Sequence, residues 1–445
     1  MARWLTLLRQ ESNSAINGPA ERVYSALYED EDSRVCRDIS DDACRVVPGN
    51  FFKNVLSQAL TKLGDALINP RTTLPWMLTA LQAPGWIASL LVPIRESGSM
   101  LPQLGIGAWV RRLPRRKWCY VGGALAQGLA AAGLVLVALF LSGQAAGLAV
   151  LALVVVFSLA RGFSSVASKD VLGKTVPKTR RGRVTGFASS AAGLGTLVFA
   201  GVLWFSSDDQ RPYAMLLGSA ALLWFASAAI YAAIQEEAGA TEGGGNGLTQ
   251  ALASLAVLRD DADFRHFLAV RALLVGSGLA APFLVVLANQ RAETSLAYFL
   301  LAQGLSALLS GPAWGAFADR SSRRLLMLAG GGAGLLGTGV FLADRLAPEL
   351  AATAWFLPGA FFVLALLHDG VRLGRKTYVV DLAGGDKRTD YVAVGNTIIG
   401  ALLLVVGGLT AVIAQFSAAG AILALSLAAF AAAWLSVKLP EVQSL

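Results

Sequence analysis

The segment GAFADRSSRR, residues 315–324, has a counterpart 208 residues earlier in the chain. At that shift it falls on GAWVRRLPRR, residues 107–116, so that Gly315 matches Gly107 and one arginine cluster matches another. Gly370 likewise falls on Gly162, and the loop before Tyr391 falls on the loop before Thr185. One half of the chain therefore predicts the loops of the other, which indicates a duplicated unit.

Twelve apolar stretches surround these loops, and each is close to the length of about 20 residues that a membrane-spanning helix needs. The first six lie near residues 56–82, 86–109, 118–141, 146–168, 184–206 and 213–234. The second six lie near residues 265–289, 294–318, 324–343, 354–376, 391–413 and 417–437. The predicted fold is an all-α membrane protein with twelve transmembrane helices in two pseudo-symmetric six-helix bundles.

Polar segments mark the expected domain limits. We predict an N-terminal tail at residues 1–50, bundles at 51–234 and 264–440, and a short C-terminal tail at 441–445. Residues 235–263 separate the bundles and include EEAGATEGGGNG, a composition typical of a flexible linker.

The overall composition supports a membrane protein. Hydrophobic residues make up 55% of the chain and charged residues only 15%, whereas soluble domains carry about 25% charged residues. A net charge of +8 would suit a nucleic-acid partner only if it formed a basic face on a soluble domain. Here the basic residues lie between apolar runs, so we expect a lipid bilayer around the chain and no nucleic-acid partner.

The distribution of basic loops predicts the orientation. The segments RRLPRRK, residues 111–117, and KDVLGKTVPKTRRGR, residues 169–183, both follow an even-numbered helix. Cytoplasmic loops of membrane proteins accumulate Lys and Arg. Both termini are therefore expected in the cytoplasm, with the helices in the plasma membrane, which would be the inner membrane of a bacterium.

Residues 54 to 440 resemble the major facilitator superfamily. The loop signature of that family reads roughly GxxxDRxGRR, and GAFADRSSRR keeps most of it, with Ser322 in place of the inner Gly. The earlier copy departs further, because Arg111 stands in the Asp position and Pro114 in the Gly position. The resemblance implies alternating access between two bundles and a loop that braces the closed cytoplasmic face. The gating residues it implies are Gly107, Arg111, Arg112, Arg115, Gly315, Asp319, Arg320, Arg323 and Arg324.

Two other family patterns match less well. VPKTRRGRVTG, residues 176–186, resembles the loop between the fourth and fifth helices. The arginine that many members carry within the fourth helix has no clear match, since Arg161 falls about a turn late. The Gly-Pro pattern of drug/proton antiporters is absent from the fifth helix, which disfavours that assignment.

The second predicted helix carries charges at its centre, in VPIRESGSMLPQLGIG, residues 92–107. An ionised side chain costs about 2.5–3.5 kcal/mol there, so Arg95 and Glu96 need a partner or a watery cavity. Gly98 and Pro102 predict a bend, which would expose these groups and Gln103 to a solute. The alternative is a structural ion pair with Lys62 and Asp65, which share one helix face.

Proton coupling is assigned to Asp65 and Glu96, because a carboxylate that moves between environments can load and release a proton. Facilitated diffusion without a proton is the alternative. The tenth helix contributes His368, Asp369 and Arg372 in LLHDGVRLGRK, either at the mouth of the pathway or extended to the lipid headgroups. Together with Arg271 in the seventh helix, the arginines favour an anionic solute.

The sequence thus predicts a secondary transporter, expected to be a monomer, that moves a small solute together with H+ by alternating access. Two alternatives stay open: a lipid or lysolipid translocator of the same fold, and a transport-inactive receptor or scaffold acting through its cytoplasmic tail. Enzyme signatures such as HExxH, GxSxG and a Walker loop are absent. No cofactor or metal is expected, because the spacing of Cys36 and Cys44 matches no compact metal motif.

Overall fold

The structure, a computed structural model, describes residues 46–205, 212–239, 257–291, 294–383 and 388–442. Helices account for all the regular secondary structure in these ranges. The first half contains α1 (Val47–Leu67 and Thr73–Ala80), α2 (Gly85–Met100 and Gln103–Arg111), α3 (Lys117–Phe140), α4 (Gly143–Thr175), α5 (Lys178–Phe205) and α6 (Pro212–Ala232). The second contains α7 (Ala262–Leu274, Gly276–Leu279 and Ala281–Arg291), α8 (Leu296–Arg320), α9 (Ser322–Leu346), α10 (Phe356–Leu382), α11 (Arg388–Phe416) and α12 (Ala418–Ser436).

Within the described residues, nine helices are long and apolar enough to cross a membrane. The other three are α1 and α2, which are each broken into two pieces, and α8, whose qualifying apolar stretch is shorter. Large apolar side chains point outward from the bundles, such as Leu129, Leu335 and Val405. A soluble protein rarely exposes so much apolar surface, so these faces are suited to lipid.

Proline explains two of the helix breaks. Pro102 lacks an N–H, and α2 stops at Met100 and resumes at Gln103, which confirms the predicted bend. Pro70 acts in the same way in α1, where the residue before it is also restricted, but the sequence predicted one continuous helix over 56–82.

Helix α1 begins at Val47, inside the expected tail, because Phe51 packs against Val176 and Val184 at the α4–α5 turn.

The two halves repeat the same packing. In the first half α3 packs against α4 and α6, and α1 packs against α6; in the second half α9 packs against α10 and α12, and α7 against α12. Gly162 of α4 lies against Ile106 of α2, and 208 residues later Gly370 of α10 lies against Trp314 of α8. Both glycines give room to a side chain from the neighbouring helix, which confirms the register of the duplication.

Two helix pairs join the halves, α2 with α11 and α5 with α8. They are equivalent under the repeat, since α2 corresponds to α8 and α5 corresponds to α11. The broken helices α1 and α7 meet between them. This arrangement places the breaks of α1, α2 and α7 around the centre of the molecule.

Several sequence predictions concern residues outside the described ranges. Cys36 and Cys44 lie in residues 1–45, and most of the linker lies in residues 240–256. The first residues of the linker, 235–239, are described, and they pack against the first bundle instead of forming a flexible linker. Glu236 is buried because its carboxylate accepts hydrogen bonds from the backbone N–H groups of Arg116 and Lys117 and from Lys174 Nζ, at 2.7–3.1 Å.

Candidate functional site

A cavity of about 460 Å³ lies where the two bundles meet, lined by residues of α1, α2, α4, α7, α10 and α11. A smaller space of about 240 Å³ continues from it between α1, α7, α8 and α10. The two spaces share Asp65, Asn69, Arg71, Gly278, His368 and Arg372 in their walls. They therefore form one cavity, which we call the central cavity.

Basic side chains outnumber acidic ones in its walls. The seven basic residues are Lys62, Arg71, Arg95, Arg161, Arg372, Arg375 and Lys376. The three acidic residues are Asp65, Glu96 and Asp369. Seven less three leaves an excess of four positive charges when His368 is neutral, so the lining of the central cavity is positively charged.

Asp65 is held within the first bundle by two arginines. Its carboxylate accepts a hydrogen bond from Arg95 at 2.9 Å and contacts the Arg161 guanidinium at 2.5 Å. The arginines also lie over aromatic rings, Arg95 over Phe157 and Arg161 over Trp224. This triad is the ion pair that the sequence analysis gave as an alternative for Arg95, while Lys62 instead donates to Ser189 Oγ.

Glu96 is bound more loosely. Its carboxylate lies 3.5 Å from the Arg71 guanidinium, and 36% of its side chain is exposed to the cavity. Arg71 lies within the α1 break, between Leu67 and Thr73, so a movement of that break changes the distance between the two groups. Glu96 therefore has more freedom to change its partner than Asp65 has.

A hydrogen-bonded chain joins the breaks of α1 and α7 through His368. Arg71 Nη2 lies 3.1 Å from His368 Nε2, and His368 Nδ1 lies 3.0 Å from Ser277 Oγ. Arginine can only donate, so Nε2 accepts and Nδ1 carries the ring proton that is donated to Ser277. The Ser277 hydroxyl in turn donates to Leu274 O at 2.8 Å, which fixes a neutral imidazole between the two bundles.

The charged residues of α10 line the cavity. Arg372 contacts Asp369 at 3.6 Å across one helical turn, and Arg375 and Lys376 follow along the same wall. Of the two alternatives left open for this helix, extension to the headgroups does not describe Arg372 in this structure, because its side chain faces the cavity.

The α1 break is closed by a residue from the other bundle. Gln303 of α8 accepts from Asn69 Nδ2 at 2.6 Å and from Thr72 Oγ1 at 3.2 Å, and donates to Ala66 O at 3.1 Å. Rings close the same end of the molecule, with Trp76 against Phe299 and Trp204 against Tyr298. The cavity is sealed toward the α1–α2 turn and extends the other way, toward Arg375 and Lys376.

Not all the predicted site residues reach the cavity. Gln103 starts the second piece of α2 and is absent from the cavity walls, and Arg271 is buried between α7 and α11, where it donates to Asn396 Oδ1 at 2.8 Å. Conversely, the sequence analysis did not select Arg71, Arg161 or Arg375. Each of them lies in an apolar stretch or at a proline break, which was the signal that identified Arg95.

The gating role of the predicted loop residues stays a prediction. Among the described residues, open space surrounds the Cβ positions of Gly107 and Gly315. Arg112, Arg115 and Arg320 are exposed. The structure does not describe the side chains of Arg111 and Asp319. Arg324 contributes its backbone N–H to the Ser321 cap of α9.

Equivalent carboxylates anchor these loops in both halves. Arg116, next to the predicted arginines, pairs with Asp170 at 3.0 Å, and its backbone N–H binds Glu236. In the second half Arg323 and the Ser321 hydroxyl bind Glu441, 205 residues after Glu236. The helix N-termini of α3 and α9 therefore each lie against a carboxylate that follows the last helix of the same bundle, where the helix dipole favours negative charge.

No protein-family model matches the sequence, and no curated protein matches it either. Solved structures do match over nearly the whole chain. The xylose transporter XylE from E. coli, in an inward-open conformation, shares 14% identity over 89% of this chain and 97% of its own, with a TM-score of 0.62. A D-xylose-proton symporter shares 14% identity over 88% and 98%, with a TM-score of 0.64.

A peptide transporter POT in complex with sulfate shares 14% identity over 90% of this chain and all of its own chain, with a TM-score of 0.63. These matched structures have the major facilitator fold of twelve helices. The chain has the major facilitator fold. It is an integral membrane protein, because that fold and the apolar helices agree, and at this level of identity the likeness extends to the fold alone.

In the major facilitator fold the halves are parallel repeats about an axis along the membrane normal, and solute sites lie near the bilayer midplane at their interface. The central cavity lies at the interface of the two halves. It lies at the junction of the broken helices α1, α2 and α7, where side chains replace the lost backbone contacts.

Proposed function

We propose that the chain is a secondary active transporter that moves a small anionic solute by alternating access and couples it to protons through Glu96. The observation that carries this proposal is the central cavity, a polar space of about 460 Å³ between two equivalent bundles. A bundle interface that is closed at one end and polar at its centre is the arrangement expected of such a carrier.

The charge of the central cavity favours an anion. Four positive charges remain after the carboxylates are counted, and burying an ionised group without a partner is unfavourable. A bound phosphate, sulfate or carboxylate would offset that cost and accept hydrogen bonds from Arg372 and Arg375. Guanidinium groups bind such oxyanions through paired N–H donors.

Among the three carboxylates, Glu96 is the best candidate for the coupled proton. Asp65 is engaged by two guanidinium groups, whereas Glu96 has one partner at 3.5 Å. Asp369 pairs with Arg372 of its own helix, so its protonation would not release a contact between helices. Protonation of Glu96 would release Arg71, which connects through His368 to the break of α7. The proton and the contact between the bundles are linked by that one arginine.

One of the similar structures is a D-xylose-proton symporter, which supports the proposed coupling. We further propose that the chain resides in the plasma membrane, the inner membrane in a bacterium, as a monomer with both termini in the cytoplasm. In that orientation the sealed end faces outward and the structure is an inward-facing state.

Flux measurements in proteoliposomes test the proposal. With an imposed pH gradient, a panel of phosphate, sulfate, sugar phosphates and small carboxylates should contain a solute whose entry is accompanied by proton movement. Glu96→Gln should abolish accumulation driven by the gradient and retain exchange of labelled for unlabelled solute. Glu349→Gln, which changes an exposed carboxylate outside the central cavity, should retain both.

Two results would overturn the proposal. One is folded protein that moves no anion in the panel, with or without a gradient, while it scrambles labelled lipids between leaflets. The other is full accumulation by Glu96→Gln, which would remove the proton role from that residue.

A further inference from the structure

A second pocket, of about 200 Å³, lies in the wall of the first bundle, between α1, α3, α4, α5 and α6. We call it the side pocket. It adjoins the central cavity, because Lys62, Arg161 and Ser165 line both spaces. A solute held in the central cavity can therefore extend one end into the side pocket.

The lining of the side pocket consists mainly of cations and hydroxyl groups. Its cations are Lys62, Arg161 and Lys169. Hydroxyl groups come from Thr61, Tyr120, Ser164, Ser165, Ser168 and Thr185. None of the described residues that line it is acidic, and the nearby carboxylates are engaged elsewhere, since Asp170 pairs with Arg116 and Asp65 lies at the central cavity.

The lysines of this pocket have unused hydrogen-bonding capacity. Lys169 has no carboxylate partner within the described ranges, and Lys62 uses one of its three N–H groups on Ser189.

We propose that the side pocket binds a tetrahedral oxyanion, the phosphate or sulfate group of a water-soluble ester whose remainder occupies the central cavity. The inference rests on the proposed function and adds the substrate class. Donors reach the pocket from α1, α4 and α5, with Lys62, Lys169 and Thr185 among them, which suits a group with three or more acceptor oxygens. A planar carboxylate has two oxygens and would leave part of this set unmatched.

Arg161 is held in place by an aromatic ring and a carboxylate. Arg161 lies over the Trp224 ring at 5.8 Å and also contacts Asp65. Its guanidinium is thus fixed at the junction of the side pocket and the central cavity. An oxyanion in the side pocket would share this group with Asp65, so binding there also acts on the triad.

Titration of inorganic phosphate into the purified full chain in detergent, followed by calorimetry and by the melting temperature, tests the side pocket. Lys169→Gln should weaken phosphate binding roughly tenfold or more, the change expected from loss of one charge-assisted hydrogen bond. Lys438→Gln is the matched control, because Lys438 lies over the Trp434 ring at 4.5 Å far from the pocket, and should leave binding unchanged.

Arg372→Gln separates the side pocket from the central cavity. If this variant alone loses phosphate binding and Lys169→Gln binds like the parent, the side pocket proposal is wrong and the proposed transport of an anion stands. If neither the parent nor any variant binds phosphate, while a carboxylate is transported, the assignment to a tetrahedral oxyanion is wrong. If the parent neither binds nor transports any anion, both the side pocket proposal and the proposed function are wrong.

Competition distinguishes the two sources of a phosphate group. Glycerol 3-phosphate should displace inorganic phosphate from the parent and lose affinity in Lys169→Gln. Displacement by lysophosphatidic acid alone would identify a lipid headgroup as the ligand and overturn the assignment to a water-soluble ester.

Discussion

Replacing Asp65 with Asn removes the one negative charge between Arg95 and Arg161, which lie 2.9 and 2.5 Å from its carboxylate. The three side chains retain 14–30% of their exposure, so the cost lies between that of a fully buried pair, about 3–5 kcal/mol, and that of an exposed pair, about 0–1 kcal/mol. We expect a loss of about 2–3 kcal/mol. For a folding unit of 150–250 residues this corresponds to a fall in melting temperature of roughly 4–12 °C.

A double-mutant cycle shows whether the loss comes from stranded guanidinium groups. Arg161→Gln alone should cost about 1–2 kcal/mol, because Arg95 still holds Asp65. In Asp65→Asn/Arg161→Gln one stranded cation is gone, so the combined loss should fall short of the sum by about 1–2 kcal/mol. The assay is thermal unfolding of the purified variants in one detergent.

Arg345→Gln supplies the control for this cycle, since Arg345 lies over the Phe341 ring on α9, outside the central cavity. Combined with Asp65→Asn it should add within about 0.5 kcal/mol. The reasoning would be refuted if Asp65→Asn and Arg161→Gln were also additive within that margin, because the three groups would then not act as a unit.

Three further variants test other contacts of the fold. Glu236→Gln removes the charge held by Lys174 and the α3 N-terminus, and should lower stability by about 2 kcal/mol in thermal unfolding, whereas the exposed Glu349→Gln should change it by less than about 0.5 kcal/mol. Gly407→Val should reduce flux, because the new side chain meets Pro93 across the α2–α11 contact. Gly408→Val has open space around it among the described residues and should transport normally. Equal effects of the two variants would contradict the contact. Gln303→Leu strands the polar groups of the α1 break and should lower the melting temperature by an amount equivalent to about 1–3 kcal/mol, while an unchanged value would show that the break is held otherwise.

The duplicated architecture was accessible from the sequence because loops and glycines repeat at one shift. Gly162 and Gly370 were paired by position alone, and the structure gives both of them the same role against the neighbouring helix. The break at Pro102 was predicted because charged and small residues surround it. Pro70 also has polar and charged neighbours, Asn69 and Arg71, but the prediction of one continuous helix over 56–82 passed over this equivalent break.

Which arginine pairs with which carboxylate of the site was harder to predict. Glu96 and Asp65 were both selected, but their arginines come from other helices, Arg71 from within the α1 break and Arg161 from α4. Arg161 was set aside because it lies a turn away from the family position, yet helix α4 brings it against Asp65. Spacing along one helix predicts neighbours on that helix, whereas contacts between helices depend on packing that a single sequence does not specify.

The single amide of Gln303 has a consequence for the kinetics of the cycle. It satisfies Asn69, Thr72 and the Ala66 carbonyl from the opposite bundle, so these groups must find new partners whenever that face opens. Water is the available replacement, and each opening therefore hydrates the crevice. Osmolytes that are excluded from protein surfaces should slow this step, which makes the turnover of the carrier sensitive to osmotic stress.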